Sequence, residues 1–329
     1  MSSPIHRRWA LGSLAAVSLL TAAPAAPRAS ETYPERAIRL IVPFAAGGPT
    51  DVFARVVAER AGALLGQPVA IENRDGAGGN IGADQVVVAR PDGYTLLFAS
   101  AAIAIAPTLY RGLKYDPLKD LEPIALVGAV PLVLVVRPGV PATLPGLLDY
   151  LRAHPGKFSY GSAGNGTTTH LTVELFKSKA GLDVLHVPYR GSAPAIQELL
   201  AGRFDFTIET LSAVKPFIAS GQLIAVGVAS ARRSSLMATV PTLAELGLPG
   251  VIGATWNMIL APAGTPQAIV DRLSQALRAA LSDPHVVARL TELAIEPIAD
   301  TTPSSARAFL VDEIARWAPI VQASGATVD

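Results

Sequence analysis

Three short segments carry residue types suited to holding an anion: Ala45 to Asp51 (AAGGPTD), Ser162 to His170 (SAGNGTTTH) and Arg190 to Ala195 (RGSAPA). Each places glycine, then proline, serine or threonine, where a helical pattern begins. A helix start leaves backbone N–H groups unpaired and carries the positive end of the helix dipole, so it accepts negative charge. In the first loop Gly47 and Gly48 allow close backbone approach, Thr50 is the capping candidate and Asp51 suits a first turn. Thr167 and Thr168 are the capping candidates of the second loop, and Ser192 of the third. One such loop alone is an ordinary turn and cap. Three of them, divided between the two halves of the chain, point to a small anion gripped from both sides.

Other reactive side chains have two readings each. His170 follows three threonines in a first helical turn, where it either donates to a ligand or orients its loop. Arg190 either pairs with a ligand carboxylate or stands at the rim. Phe44 and Tyr189 either cover the ligand or wall the cleft, and Glu209 either receives an amino group or water or is a solvated charge at a strand end. The remaining histidines, His6, His154, His186 and His285, are scattered without metal-ligand spacing, so no metal is expected. With no cysteine there is no disulfide, thiolate site or thiol nucleophile. The string GAGGNIG has glycines at 76, 78 and 82, which misses the dinucleotide spacing because Ile81 takes the third glycine's place. No cofactor is expected. A hydrolase using Ser162 with His170 is the enzymatic alternative, but Ser162 is not in a nucleophile-elbow motif and no orienting acid is evident. The chain reads as a non-enzyme.

These loops need strands and helices behind them, and from Ile38 onward the sequence repeats one pattern: a short apolar run, a Gly or Pro turn, then a helical period. IRLIVPF (38–44) leads through AAGGPTD into VFARVVAERAGALLG, and a second such unit is followed by the strand YTLLFAS (94–100). Such runs predict parallel sheets covered by helices. The extended stretch ALVGAVPLVLVVRPG (125–139) precedes a fresh start of the pattern and predicts a crossover into a second lobe. There LPGLLDYLRAHPG predicts a helix ended by Gly156, and TTTHLTVELFKSKAGL one ended by Gly181. TWNMILAPAG, PQAIVDRLSQALRAALSD and TPSSARAFLVDEIARWAPIVQ return to the first lobe. The predicted class is α/β with two lobes, joined by two crossing segments. Lobe 1 takes residues 30–128 plus 251–329, and lobe 2 takes 129–250.

The first 29 residues read as a signal peptide: His6-Arg7-Arg8, an uncharged apolar run from Trp9 to Ala23, then small residues and proline. The arginine pair fits either twin-arginine or general secretory export. Removing this segment takes 27 basic against 26 acidic residues to 24 against 26. A slightly acidic chain with three Trp and seven Tyr offers neither phosphate neutralisation nor stacking platforms, so no nucleic-acid partner is expected. No later apolar run approaches the roughly 20 residues of a spanning helix. The mature protein is expected to be soluble, periplasmic and monomeric.

IVPFAAGGPTDVFAR, IENRDGAGGNIGA, RPDGYTLL, YGSAGNGTTTHL, HVPYRGSAPAIQELLAGRFD, VPTLAELGLPG and LAPAGTP occur in this order along the whole mature chain. Together they resemble the tripartite tricarboxylate transporter receptors, also called Bug receptors. The resemblance implies a type II periplasmic-binding fold, a Venus flytrap without cofactor that binds small carboxylates. Its binding loops correspond here to Phe44, Ala45, Ala46, Gly47, Gly48, Thr50 and Asp51, and to Ser100 and Ala101 in the first lobe. In the second they correspond to Ser162, Gly164, Thr167, Thr168 and His170, and to Tyr189, Arg190 and Gly191. Glu209 stands where the family often has Asp, and Met258 near a common glycine; both positions are expected close to the cleft. Partners implied are the two membrane subunits of such a transporter or, alternatively, a sensor protein reading the closed receptor.

Overall fold

The computed structural model describes residues 33–328; the expected signal segment lies outside them. The first unit is β1 (Ile38–Val42), α1 (Pro49–Leu65), β2 (Val69–Asn73), α2 (Asn80–Val87), β3 (Thr95–Ser100) and α3 (Ala102–Leu109), leading into the 16-residue β4 (Leu121–Val136). Then come α4 (Leu144–Arg152), β5 (Ser159–Ser162), α5 (Thr168–Ala180), β6 (Leu185–Pro188), α6 (Ser192–Leu200), β7 (Phe206–Thr210), α7 (Leu211–Ala219) and β8 (Ile224–Val228). The chain returns through β9 (Ala254–Pro262) and ends in α8 (Gln267–Leu281), α9 (Pro284–Glu292), β10 (Glu296–Pro297) and α10 (Pro303–Ser324).

The strands form the order β2-β1-β3-β9-β4-β7-β5-β6, with β10 and β8 also pairing with β4. β1, β2 and β3 are mutually parallel, and so are β5, β6 and β7. The expected parallel strands are present in each half, and between them β9 runs antiparallel to β3 and β4, and β4 antiparallel to β7 and β8. The two crossing strands reverse direction between the parallel sets, which short apolar runs do not reveal. β4 serves both sets. Its residues Leu121 to Pro131 pair with β9, and Leu132 to Val136 pair with β7.

Every second β4 residue goes to one face, because side chains alternate across a strand. Leu132, Leu134 and Val136 join α4 and α5 in one core, while Val133 and Val135 join α6 and α7 in another. The first half is also covered on both faces, by α1, α8 and α9 on one side and α2, α3 and α10 on the other. Helix α4 stops at Arg152, short of the expected Gly156, whereas Gly181 does end α5 in the left-handed conformation.

One buried polar cluster ties the last helix to the return segment. The Glu313 carboxylate on α10 accepts the indole N–H of Trp256 on β9 at 2.7 Å and that of Trp317 at 3.0 Å. It also pairs with Arg316, whose guanidinium donates to the Ile252 carbonyl at 2.7 Å. Met258 is fully buried in the core between β3 and β4, one residue from Asn257, the partner of Ser100 at the end of β3.

Candidate functional site

The register shows where loops of the two halves meet. Ser100 at the end of β3 pairs with Asn257, which pairs with Gly128 of β4, while Thr210 at the end of β7 pairs with Leu132. The carboxyl ends of β1 to β3 and of β5 to β7 therefore point toward the same stretch of β4, from opposite directions. In open α/β sheets ligands sit beyond such ends, where the strand order switches.

In the first half, Gly48 is the N-cap of α1 with φ −73°, and Pro49 opens the helix. No side chain caps it, so Thr50 does not take the capping role expected of it; a proline at the first helical position fixes the start one residue earlier. Asp51 faces inward and is 1% exposed. Its carboxylate pairs with Arg55 at 2.8 Å and accepts the Gly47 N–H and the Asn73 amide at 2.9 Å each. Chiefly through Arg55, it is held down to about 2. Asp51 thus fixes the shape of the loop, Gly47 taking the left-handed φ of 78° that this clamp requires. Ala45 and Ala46 are exposed. Phe44 and Ser100 line one small cavity with Gly78, Gly79, Asn80 and Tyr115, whereas Ala101 is buried and not part of its wall. Asn80 and Tyr115 were not anticipated.

In the second half most loop donors are already paired. Thr167 caps α5, accepting from the His170 N–H at 3.3 Å, as expected. Thr168 bonds Thr255 across to the return strand at 2.8 Å, so it joins the halves and does not cap. Gly164 N–H donates to the Ser162 hydroxyl, Gly166 N–H to His170 Nδ1 at 3.0 Å and Gly191 N–H to the Ala163 carbonyl. Gly191, at φ 108°, is the N-cap of α6, again without a side-chain cap; Ser192 lies inside the helix and does not serve as expected. Tyr189 leans on Phe204 and its N–H holds the Ser162 carbonyl, while Arg190 is exposed.

The histidines prove less scattered in space than in sequence. His170 and His186 stack with ring centres 3.9 Å apart, and His186 Nε2 lies 2.7 Å from the Ser162 hydroxyl. Ser162 therefore pairs with His186 and not His170. It is fully buried and bonded to the loop as well, so it is not presented as a nucleophile. His170, 3% exposed, orients the loop. Burial, then the neighbouring His186, pushes it down to about 4, and burial lowers His186 too. A histidine whose folded pKa is depressed must be charged on unfolding, so its stability contribution is lost as pH falls from about 6.5 through that value. Melting temperature should fall between pH 6.5 and 4, and part of that fall should disappear in His170→Asn, whose amide oxygen keeps the Gly166 bond. An identical acid profile in both proteins would refute the role given to His170.

Glu209, read as a possible solvated strand-end charge, is completely buried. An open groove of about 410 Å³ lies behind the Gly164–Thr167 loop, between α5, β6 and the end of α10, with Lys177, Glu174 and His186 in its wall. Among the described residues no group of three or more His, Cys, Asp or Glu is placed to hold a metal.

The family model of the tripartite tricarboxylate transporter family receptor matches residues 53–326. Protein BugT of Bordetella pertussis is 41% identical over 94% of this chain and 96% of its own. The solved structure of R. palustris Rpa4515 with adipate is 36% identical, covers 90% of this chain and 100% of its own, and superposes with a TM-score of 0.78. MatC from Rhodopseudomonas palustris with bound malate is 34% identical over 88% of this chain and 100% of its own, with a TM-score of 0.74. The facing loops, the mixed sheet and these likenesses over almost the full length agree: the chain belongs to the tripartite tricarboxylate transporter receptor family.

Proposed function

We propose that the mature protein is a periplasmic receptor that captures one small organic carboxylate between its two halves. It then presents the closed form to the membrane subunits of a tripartite tricarboxylate-type transporter. Family members are solute-binding receptors and not enzymes. The observation that carries the reading is the pair of glycine N-caps, Gly48 on α1 and Gly191 on α6, one in each half and neither helix capped by a side chain. First-turn amides without a cap are donors awaiting an anion. The adipate and malate held by two relatives support a carboxylate as that anion.

A ligand that binds only the folded state at about 100 times its Kd adds about 2.7 kcal/mol. At about 2.1 cal/mol/K per residue over roughly 300 residues, that raises Tm by about 4 °C. A thermal-shift panel of dicarboxylates, tricarboxylates, acidic amino acids and aromatic acids should therefore contain at least one clear responder. A panel without any would overturn the carboxylate reading.

A further inference from the structure

The two halves also hold one another through side chains on both edges of β4. Ala129 of β4 pairs with Trp256 of β9 on one edge and with Glu296 of β10 on the other. On the β9 edge helix α5 of the second half reaches into the first. Its Leu171 is fully buried in one core cluster with Leu109, Trp256 and Met258, and the hydroxyl of Thr168 bonds that of Thr255 at 2.8 Å. On the β10 edge the first half reaches into the second. Ala294, just past α9, is 1% exposed and packs with Val133, Leu211 and Val214. Two residues on, Glu296 turns one carboxylate oxygen, Oε1, to three donors in the loop after β8. They are the Ser234 hydroxyl at 2.6 Å, the Ser235 N–H at 3.0 Å and the Ser235 hydroxyl at 3.2 Å.

The β10 contact is built from residues unusual for their places. Helix α9 closes with the Ala294 N–H donating to the Thr291 carbonyl at 3.0 Å and the Ile295 N–H to the Leu290 carbonyl at 2.9 Å. That turn puts Ala294 at φ 58°, a conformation glycine takes without strain and alanine does not. Strain of this kind persists where surrounding contacts offset it, and here the methyl group that causes it is the one that enters the core of the second half. The donors to Glu296 are held in advance. Ser234 is 3% exposed and caps the turn Ser235–Met237, its hydroxyl accepting the Leu236 N–H at 3.1 Å. Arg233 beside it is taken by Glu245, and among the described residues no ion pair holds Glu296. The two contacts therefore differ in kind. The α5 contact is fully buried and anchored by Leu171, whereas Glu296 is half-buried and Ser235 exposed, so water can replace their bonds at small cost.

We propose that Glu296 is a releasable latch between the halves: the α5 contact is a fulcrum kept throughout, and breaking the bonds from Glu296 to Ser234 and Ser235 lets the second half turn and the cleft change width. β4 runs between latch and fulcrum and changes partner at Leu132, three residues from the Ala129–Glu296 pair. A turn of one half about that point cannot leave both edges as they are. The latched arrangement is the one described. Its stability rests on one carboxylate gathering three donors, which is strong while dry and readily exchanged for water. The latch contains no residue of the binding loops, so it goes beyond the carboxylate reading and does not depend on which solute binds.

The test measures the distance between the halves in the mature protein without any solute. The chain has no cysteine, so Val88→Cys on α2 and Asp149→Cys on α4, both exposed, place one spin label in each half. Pulsed electron resonance between the labels then reads the ratio of latched to unlatched molecules. Ser235→Asp sets a second carboxylate against Glu296 and should lower that ratio about tenfold, whereas Ser235→Lys supplies a counter-charge and should raise it. The two distance distributions should move in opposite directions, approach each other in about 1 M salt and coincide when Glu296→Gln is added to both. Ala294→Gly removes the strain together with the methyl group. It should shift distances the same way as Ser235→Asp without lowering the melting temperature. One distribution shared by Ser235→Asp and Ser235→Lys, or a difference between them that survives Glu296→Gln, would overturn the latch, whatever the variants do to stability. If no acid of the panel stabilises the protein but these shifts are seen, it is the carboxylate reading that fails and not the latch.

Discussion

Gly48→Asp should weaken carboxylate binding by about 100-fold or more, equivalent to about 2.7 kcal/mol, without lowering the melting temperature of the ligand-free protein. The side chain of an N-cap residue lies over the amides of the first turn, which is how Asp caps a helix. Gly48 already has the extended backbone of a capping residue, and a Cβ there would meet only the Ala45 carbonyl, at 3.2 Å. The turn can yield by the few tenths of an ångström required. The new carboxylate would take the amides that the solute needs and add like-charge repulsion against it. Helix α1 gains a cap, the fold is kept, and the receptor in effect binds itself. Calorimetry with the best acid of the panel checks the first half of this expectation and a ligand-free melt the second. Retained affinity in a folded Gly48→Asp protein would remove the α1 terminus from the binding site.

Glu313→Ala has the largest expected effect on stability. This carboxylate, 6% exposed, is the shared acceptor for Trp256, Trp317 and Arg316. Its loss strands two indole N–H groups in the core and leaves a guanidinium without its counter-charge. Breaking a buried pair from one side costs about 3–5 kcal/mol. Melting temperature should drop by about 5 °C or more, at roughly 1.6 °C per kcal/mol for a chain of about 300 residues. Glu313→Gln, which keeps one acceptor oxygen, should lose less. A Glu313→Ala protein melting within a degree of wild type would show that the cluster is dispensable.

How far the sequence reveals this molecule depends on the range of the interaction involved. Strands such as Ile38–Val42 and helices such as Gln267–Leu281 were legible because apolar period and turn residues are local signals. Helix α3, Ala-Ile-Ala-Ile-Ala-Pro-Thr-Leu, was not, because a segment apolar on nearly every side shows no period. Helix α9 does carry a signal that was passed over: Asp283 caps it and Pro284 follows at the first helical position. Gly48 as N-cap was likewise readable from Pro49. The binding loops stood out by their glycines, whereas the contacts that shape them are long-range. Ser162 meets His186 across 24 residues and Tyr115 meets Asn80 across 35, distances over which no spacing rule operates. Asn80 is hidden for a further reason: its string, GAGGNIG, reads as a near-miss nucleotide loop and as part of the family resemblance, and neither reading singles out the asparagine.

The single strand shared by both halves carries one more implication. At Pro131 β4 still pairs with Ala254, and from Leu132 on it pairs with β7. The chain thus leaves the first half and comes back to it at two residues that are ladder partners, on strands about 4.8 Å apart. A segment whose ends are that close can be removed or replaced without stretching what remains. The expected outcome is that residues 132 to 253 can be exchanged as one segment, which a folded chimera would check. A receptor that kept its own first half and carried a relative's segment between these two positions would keep the α1 amides while inheriting a different α6 terminus. Solute preference should then be recombinable one half at a time.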